Sequence, residues 1–156
     1  MPSEIERKFL VDSTLWEPSS EGASITQAYI CIEHATVVRV RIIDAQAFLT
    51  IKGKTEGFRR PEYEYSVPVS HAREMIEAFG SNRCVEKVRY TEEHLGKTWE
   101  IDIFNGQNHP LILAEIELIS EDQEFEKPAW LGREVSDDPR YYNSNLSSKP
   151  FTTWSD

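Results

Sequence analysis

The chain is dominated by short stretches in which β-branched and aromatic residues alternate with charged ones. Alternation at a period of two marks an extended strand, whose successive side chains leave from opposite faces. The pattern recurs over about residues 3–11, 24–33, 36–44, 47–54, 60–68, 83–92, 97–105 and 111–119. Polar or turn-forming breaks separate these runs: Glu33-His34, Asp44-Ala45, Gly53 to Gly57, Glu93 to Gly96 and Asn105 to Pro110. Short connections favour antiparallel neighbours, and eight antiparallel strands of this length can close into a barrel. The expected fold is therefore mostly β, of α+β type. It is an eight-stranded antiparallel closed barrel with a few short helices, in one domain over residues 1–156.

Helices have little room. The run SHAREMIEAFG predicts one, with Ser70 as N-cap, an apolar stripe of Ala72, Met75, Ile76 and Phe79, and Gly80 as the stop. EKPAWLGREV predicts a second short helix, with Pro128 in its first turn and Gly132 near its end. A third short helix is expected around Pro139–Leu146, followed by a polar tail.

The inward and outward faces of the strands differ in kind. At spacing two, the first run carries Glu4, Glu6 and Lys8, and later runs carry Arg39 and Arg41, then Thr50, Lys52 and Lys54, then Arg60, Glu62 and Glu64. Lys87 and Arg89, Glu100 and Asp102, and Glu115 and Glu117 complete the set. The opposite faces are apolar, for example Val38, Val40 and Ile42, or Trp99, Ile101 and Ile103. One charged pair on a strand describes an ordinary solvated face. Charges sorted by strand, acids on some and cations on others, are different. Like charges side by side are unfavourable unless something of opposite sign lies between them. That points to a charged interior with a ligand.

The ligand must satisfy both signs. Clustered carboxylates without His or Cys spacing are hard oxygen donors suited to Mg²⁺ or Mn²⁺. The candidate metal-binding acids are Glu4, Glu6, Glu62, Glu64, Asp102, Glu115 and Glu117. Clustered Arg and Lys in a dry cavity suit phosphate oxygens, with Arg contacting two at once. Together they describe a metal–polyphosphate complex. Such a pocket is compatible with the formal net charge of -10, which argues against nucleic acid as a partner. No apolar run approaches the ~20 residues of a membrane helix. Cys31 and Cys84 match neither metal nor disulfide spacing and read as reduced thiols, so a cytoplasmic location is expected. His34, His71, His94 and His109 show no metal spacing, and neither a phosphate-binding glycine loop nor a nucleophile-elbow serine is present.

SEIERKFL, with its E-x-E-x-K pattern, resembles the signature of the CYTH superfamily, the triphosphate tunnel metalloenzymes. The resemblance extends over about residues 2 to 147. It takes in R-V-R at 39–41, I-K-G-K at 51–54, E-Y-E at 62–64, K-V-R-Y at 87–90, W-E-I-D-I-F at 99–104 and A-E-I-E-L at 114–118. It implies an eight-stranded tunnel and hydrolysis of a triphosphate, or cyclisation of ATP, with Mg²⁺ or Mn²⁺. Two ions are expected in the active complex. Glu4 and Glu6 match the metal-binding acids, and Glu115 and Glu117 the acids of the last tunnel strand. Lys8, Arg39, Arg41, Lys52, Lys54, Lys87 and Arg89 match the cations that hold the triphosphate. Tyr29 falls where family thiamine triphosphatases place a tyrosine paired with a lysine, here Lys52. Tyr29, Lys52 and Lys8 are thus the catalytic candidates.

The short chain resembles the small bacterial members, for which inorganic tripolyphosphate is the expected substrate. Thiamine triphosphate or a nucleoside triphosphate is the alternative, then ATP cyclisation of the class IV adenylyl cyclase kind. A non-catalytic polyphosphate-binding module, or an acidic sandwich with a solvated charged face, stands outside enzymology altogether. An apolar outer barrel wall needs a cover, which makes a homodimer the expected assembly.

Overall fold

The computed structural model describes residues 1–155. Each of the eight expected runs forms a strand: β1 (Ser3–Val11), β2 (Ala23–Glu33), β3 (Thr36–Ile43), β4 (Gln46–Lys52), β5 (Arg59–Val67), β6 (Cys84–His94), β7 (Lys97–Phe104) and β8 (Ile112–Glu117). Their order around the sheet is β5-β4-β3-β2-β6-β7-β8-β1, and β1 returns to β5. This is a closed antiparallel barrel. The seam is short, with Ser3 opposite Pro61, Glu4 opposite Arg60 and Ile5 opposite Arg59.

The seam explains one correction. No helix forms over EKPAWLGREV. After a turn closed by Leu131 N donating to Pro128 O at 3.0 Å, the chain extends as β9 (Leu131–Glu134). β5 pairs with β1 only as far as Ile5, so the rest of that edge would be bare. β9 takes it, with Phe9 opposite Glu134 and Val11 opposite Leu131. Gly132 ends no helix. A Cβ there would lie 3.0 Å from the Leu10 carbonyl oxygen, so the glycine permits close approach of two backbones.

The first helix, α1 (Val69–Met75), starts two residues early, with Pro68 rather than Ser70 at its N-cap. The Ala72 N–H instead bonds the Pro68 carbonyl at 3.0 Å. Its last turn widens to a π-turn over Ile76–Gly80. The extra residue per turn rotates Phe79 off the expected apolar stripe and leaves it 63% exposed. Gly80 ends the element as expected, and a Cβ on it would collide with the Ala28 methyl at 2.7 Å. The third helix is split. A 3₁₀ turn over Pro139–Tyr141, capped by the Asp138 carboxylate, is followed by α2 (Asn143–Ser148).

Because charged faces point inward, the apolar faces need cover from outside. The chain supplies much of it. Val69, Ala72, Met75 and Ile76 of α1 and its last turn pack on Val40, Ile42, Ala47 and Leu49. Trp16, Phe125 and Trp130 cover Phe9, Trp99, Ile101, Ala114 and Ile116. Trp99 is fully buried, with Phe9, Phe125 and Trp130 edge-on at 5.6–5.7 Å. Burying an aromatic of this size contributes about 3 kcal/mol. Tyr141, Leu146 and Val135 close one end of the barrel against Val85, Phe104 and Leu113. The cover that argued for a second copy is thus largely intramolecular. No helix is long and apolar enough to cross a membrane.

Candidate active site

Antiparallel pairing sets inward residues of neighbouring strands side by side. Across β1 and β8 it places Glu6 opposite Glu117 and Lys8 opposite Glu115. Across β3, β4 and β5 it makes one row of Arg39, Thr50 and Glu64 and the next of Val37, Lys52 and Glu62. On β2, Tyr29 and Gln27 stand opposite Arg39 and Arg41. On β6 and β7, Arg89 stands opposite Asp102. These rows enclose a cavity of about 230 Å³. Glu4, Glu6, Lys8, Tyr29, Arg39, Arg41, Lys52, Glu62, Glu64, Lys87, Arg89, Glu115 and Glu117 all line it.

Two sequence candidates lie elsewhere. β4 ends at Lys52 because Gly53 turns in against Pro61, donating to its carbonyl at 3.0 Å. Lys54 follows in the turn and is exposed. Asp102 is buried behind the cavity wall, not on it. Its Oδ1 accepts from Arg89 Nε at 2.8 Å, and its Oδ2 from Arg89 Nη2 at 2.9 Å and Lys87 Nζ at 2.7 Å. Burial would raise its pKa, but the two cations hold it below the carboxylate range. Asp102 therefore braces the cations and has no oxygen left for the cavity.

Most interior acids are likewise paired. Lys52 Nζ lies 2.7 Å from Glu4 Oε1 and 3.1 Å from Glu62 Oε2. Lys8 Nζ lies 3.4 Å from Glu115 Oε1 and donates to the Tyr141 carbonyl at 3.3 Å. Glu115 is held down at about 2: Lys8 and Arg89 outweigh the burial that would raise it. Glu6 and Glu117 are the exceptions. Among the described residues neither carboxyl group makes a hydrogen bond or salt bridge, and burial, Glu115 and Glu4 push Glu6 up to about 8. Glu117 is also raised, by burial, Glu4 and Glu100.

The cations show the mirror image. Arg41 has no carboxylate within salt-bridge distance among the described residues; its Nε donates to Gln27 Oε1 at 2.9 Å. Burial, with Arg39 and Arg89 nearby, pushes it down to about 10. Lys87 falls to about 7 through burial, against the pull of Asp102, with Arg89 and Arg41 adding to the drop. Arg39 spends Nη2 on Thr50 Oγ1 at 3.2 Å and on Glu64 at 3.5 Å, while its buried Nε has no partner. A buried donor without an acceptor is unfavourable by about 1–3 kcal/mol.

The expected pairing of Tyr29 with Lys52 is not made. Lys52 lies one row further along and is drawn across the seam to Glu4. The Tyr29 oxygen instead accepts from Gln27 Nε2 at 2.7 Å. Gln27, Ser136, Tyr142, Asn143 and Ser144 were not picked out from the sequence. Gln27 shares the inward face of β2 with Tyr29 at spacing two, so the period alone pointed to it. Asn143 accepts from Lys87 Nζ at 2.8 Å, and no local pattern announces that a C-terminal polar run folds back here.

No three Asp, Glu, His or Cys side chains among the described residues already converge as a metal cage. The oxygen-only donor set still fits a hard divalent ion. Glu6 is unpaired and crowded by Glu4 and Glu115, and a cation would relieve that repulsion.

Known proteins resemble this chain along nearly its whole length. An inorganic triphosphatase of Acetivibrio thermocellus is 44% identical over 151 residues, covering 97% of each chain. One of Nitrosomonas europaea is 37% identical over 149 residues, covering 93% of this chain and 97% of its own. A crystal structure of an inorganic triphosphatase superimposes with a TM-score of 0.67 at 35% identity, over 95% of this chain and 96% of the other. The CYTH domain profile matches residues 2–143, and the chain belongs to the CYTH domain family.

Proposed function

We propose that this protein hydrolyses inorganic tripolyphosphate to pyrophosphate and phosphate, with a divalent metal. The observation that carries the reading is a single cavity lined by unpaired groups of both kinds: Glu6 and Glu117 on one wall, and Arg41 on another. Two relatives at 44% and 37% identity bear the name inorganic triphosphatase. The cavity wall is mostly charged or polar, which suits an inorganic polyanion; Tyr29, Phe58 and Tyr142 are its aromatic members.

Glu6, with Glu4 and Glu117 beside it, would hold the metal; Mg²⁺ and Mn²⁺ both suit these oxygens. Bound there, the ion would supply Lewis-acid polarisation of a phosphate oxygen and a more acidic water. Arg39, Arg41, Lys87 and Arg89 would hold the phosphate oxygens in line and stabilise charge on the transferring group. Lys8 and Lys52 would hold Glu115 and Glu4 in place until the complex binds. Water attacks the terminal phosphorus, the anhydride P–O bond breaks towards pyrophosphate, and each product leaves with one of the two water protons. Asp102 keeps Lys87 and Arg89 fixed throughout, so little reorganisation accompanies the step.

The test is phosphate release from tripolyphosphate, thiamine triphosphate and ATP, side by side, with Mg²⁺, Mn²⁺ or EDTA. Release that needs metal and is fastest from tripolyphosphate is the expected result. Faster release from thiamine triphosphate or ATP would reassign the substrate. Binding without release would make the protein a polyphosphate-binding module.

A further inference from the structure

Gln27 is fully buried, and each end of its side chain is engaged. Its Oε1 accepts from Arg41 Nε at 2.9 Å. Its Nε2 donates to the Tyr29 hydroxyl oxygen at 2.7 Å and to Asn143 Oδ1 at 3.2 Å. Asn143 Oδ1 in turn accepts from Lys87 Nζ at 2.8 Å. One amide thus joins two of the cavity's cations and its tyrosine.

The direction of every bond in this chain follows from its two ends. A guanidinium and an ammonium have donors only. Arg41 therefore requires the oxygen of Gln27 to face it, which turns the Gln27 nitrogen towards Tyr29. Lys87 requires the oxygen of Asn143, which makes that oxygen an acceptor for the same nitrogen. Reversing either amide would set two donors against each other. The Tyr29 oxygen is thereby fixed as an acceptor. Its proton has no acceptor among the described residues, and Tyr29 lines the cavity.

We infer that Gln27 is a positioning residue of the triphosphatase site, directing the Tyr29 hydroxyl proton into the cavity as a hydrogen-bond donor to a substrate phosphate oxygen. The inference rests on the proposed triphosphatase reading. It gives Tyr29 a definite polarity: a neutral donor, rather than a base that removes a proton from water. It also gives Arg41 a definite pose. With Nε held by Gln27, both terminal nitrogens are free for phosphate oxygens.

Gln27→Glu separates the two ends. The new carboxylate still accepts from Arg41, but it has no donor for Tyr29, whose proton it would take as an acceptor. Kinetics on tripolyphosphate with Mg²⁺ should show kcat lowered about 100-fold, the scale of losing one aligned donor. Tyr29→Phe should lower kcat by a similar factor, and the double variant should be little worse than Gln27→Glu alone. Non-additivity of this kind is what a residue acting through its neighbour produces. Asn143→Asp is the charge control. It adds the same charge and keeps the acceptor for Lys87, so its effect should fall mainly on KM and multiply independently with that of Tyr29→Phe. A Gln27→Glu enzyme with wild-type kcat, or one whose loss multiplies fully with that of Tyr29→Phe, overturns the positioning role while leaving the triphosphatase reading intact. A wild-type protein that neither binds nor hydrolyses tripolyphosphate overturns both.

Discussion

Replacing Glu6 by Gln should stabilise the metal-free protein at alkaline pH, and by an amount the site geometry sets. Glu6 is pushed up to about 8 from an ordinary 4.5 by burial, Glu115 and Glu4. Between those values the folded protein keeps a proton that the unfolded chain has released. Stability therefore falls as pH rises through that window, and the full loss is present above about 8. A difference of about 3.5 corresponds to about 5 kcal/mol. That is a ceiling, because water in the open cavity screens the charge, and about 2 kcal/mol is a fair expectation after screening. Gln has the shape of the protonated acid and does not titrate. For a chain of this size, about 2 kcal/mol corresponds to a Tm higher by roughly 4–8 °C. The assay is thermal melting of both proteins in EDTA from pH 5 to pH 9. The two curves should coincide near pH 5 and separate with the variant above wild type near pH 9. A Glu6→Gln protein that melts lower than wild type at pH 9, or a gap that does not change with pH, would refute the argument that Glu6 is an uncompensated interior acid.

Other perturbations test the opposite wall and its supports. Arg41→Met should raise KM for tripolyphosphate about 10- to 100-fold, the worth of a charged hydrogen bond; an unchanged KM with a lower Tm would place Arg41 in the architecture instead, through its bond to the buried Gln27. Asp102→Asn should destabilise by about 3–5 kcal/mol in urea unfolding, since Lys87 and Arg89 lose their shared counter-charge in a buried place. Asp102 and Glu115 are both held below the ordinary carboxylate range, Glu115 at about 2 against 4.5, so the stability they contribute is complete above pH 4.5 and is lost as pH falls towards 2. Mg²⁺ with tripolyphosphate should raise Tm by mass action in wild type and much less in Glu6→Gln, and chelation should abolish phosphate release.

The strands were legible because each carries its own evidence: an apolar face and a charged face at period two. Their number and spacing allowed closure, and the resemblance to the tunnel enzymes implied it. β9 was not, because four residues, Leu131–Glu134, are extended for a reason that lies far away, the edge of β1 left bare beyond Ile5. The same misreading turned Pro128 and Gly132 into helix punctuation. Lys54 looked inward by parity with Lys52, but Gly53 breaks the strand between them and parity stops there. Tyr29 shares a row with Arg39 and Thr50, while Lys52 shares one with Val37 and Glu62, and each bonds a nearer partner, Gln27 and Glu4. Periodicity tells which face a residue takes, and only pairing tells which row.

The interior also shows why an acidic chain can take a polyanion. Its charges are not a diffuse field; most are paired locally, Glu4 and Glu62 with Lys52, Glu64 with Arg39, Glu115 with Lys8, Asp102 with Lys87 and Arg89, and Glu100 with Arg89. What remains after cancellation is what a ligand meets. On one side that remainder is Glu6, whose proton a cation would displace, with Glu117 opposite it, and on the other it is Arg41. A bare cation would satisfy the first and repel the second, and a bare phosphate would do the reverse. Only a ligand that presents positive charge to one wall and anionic oxygens to the other satisfies both at once, and a metal-bound polyphosphate has that form. The net charge of -10 is therefore a property of the outside and of the paired residues, and it sets no sign for the site.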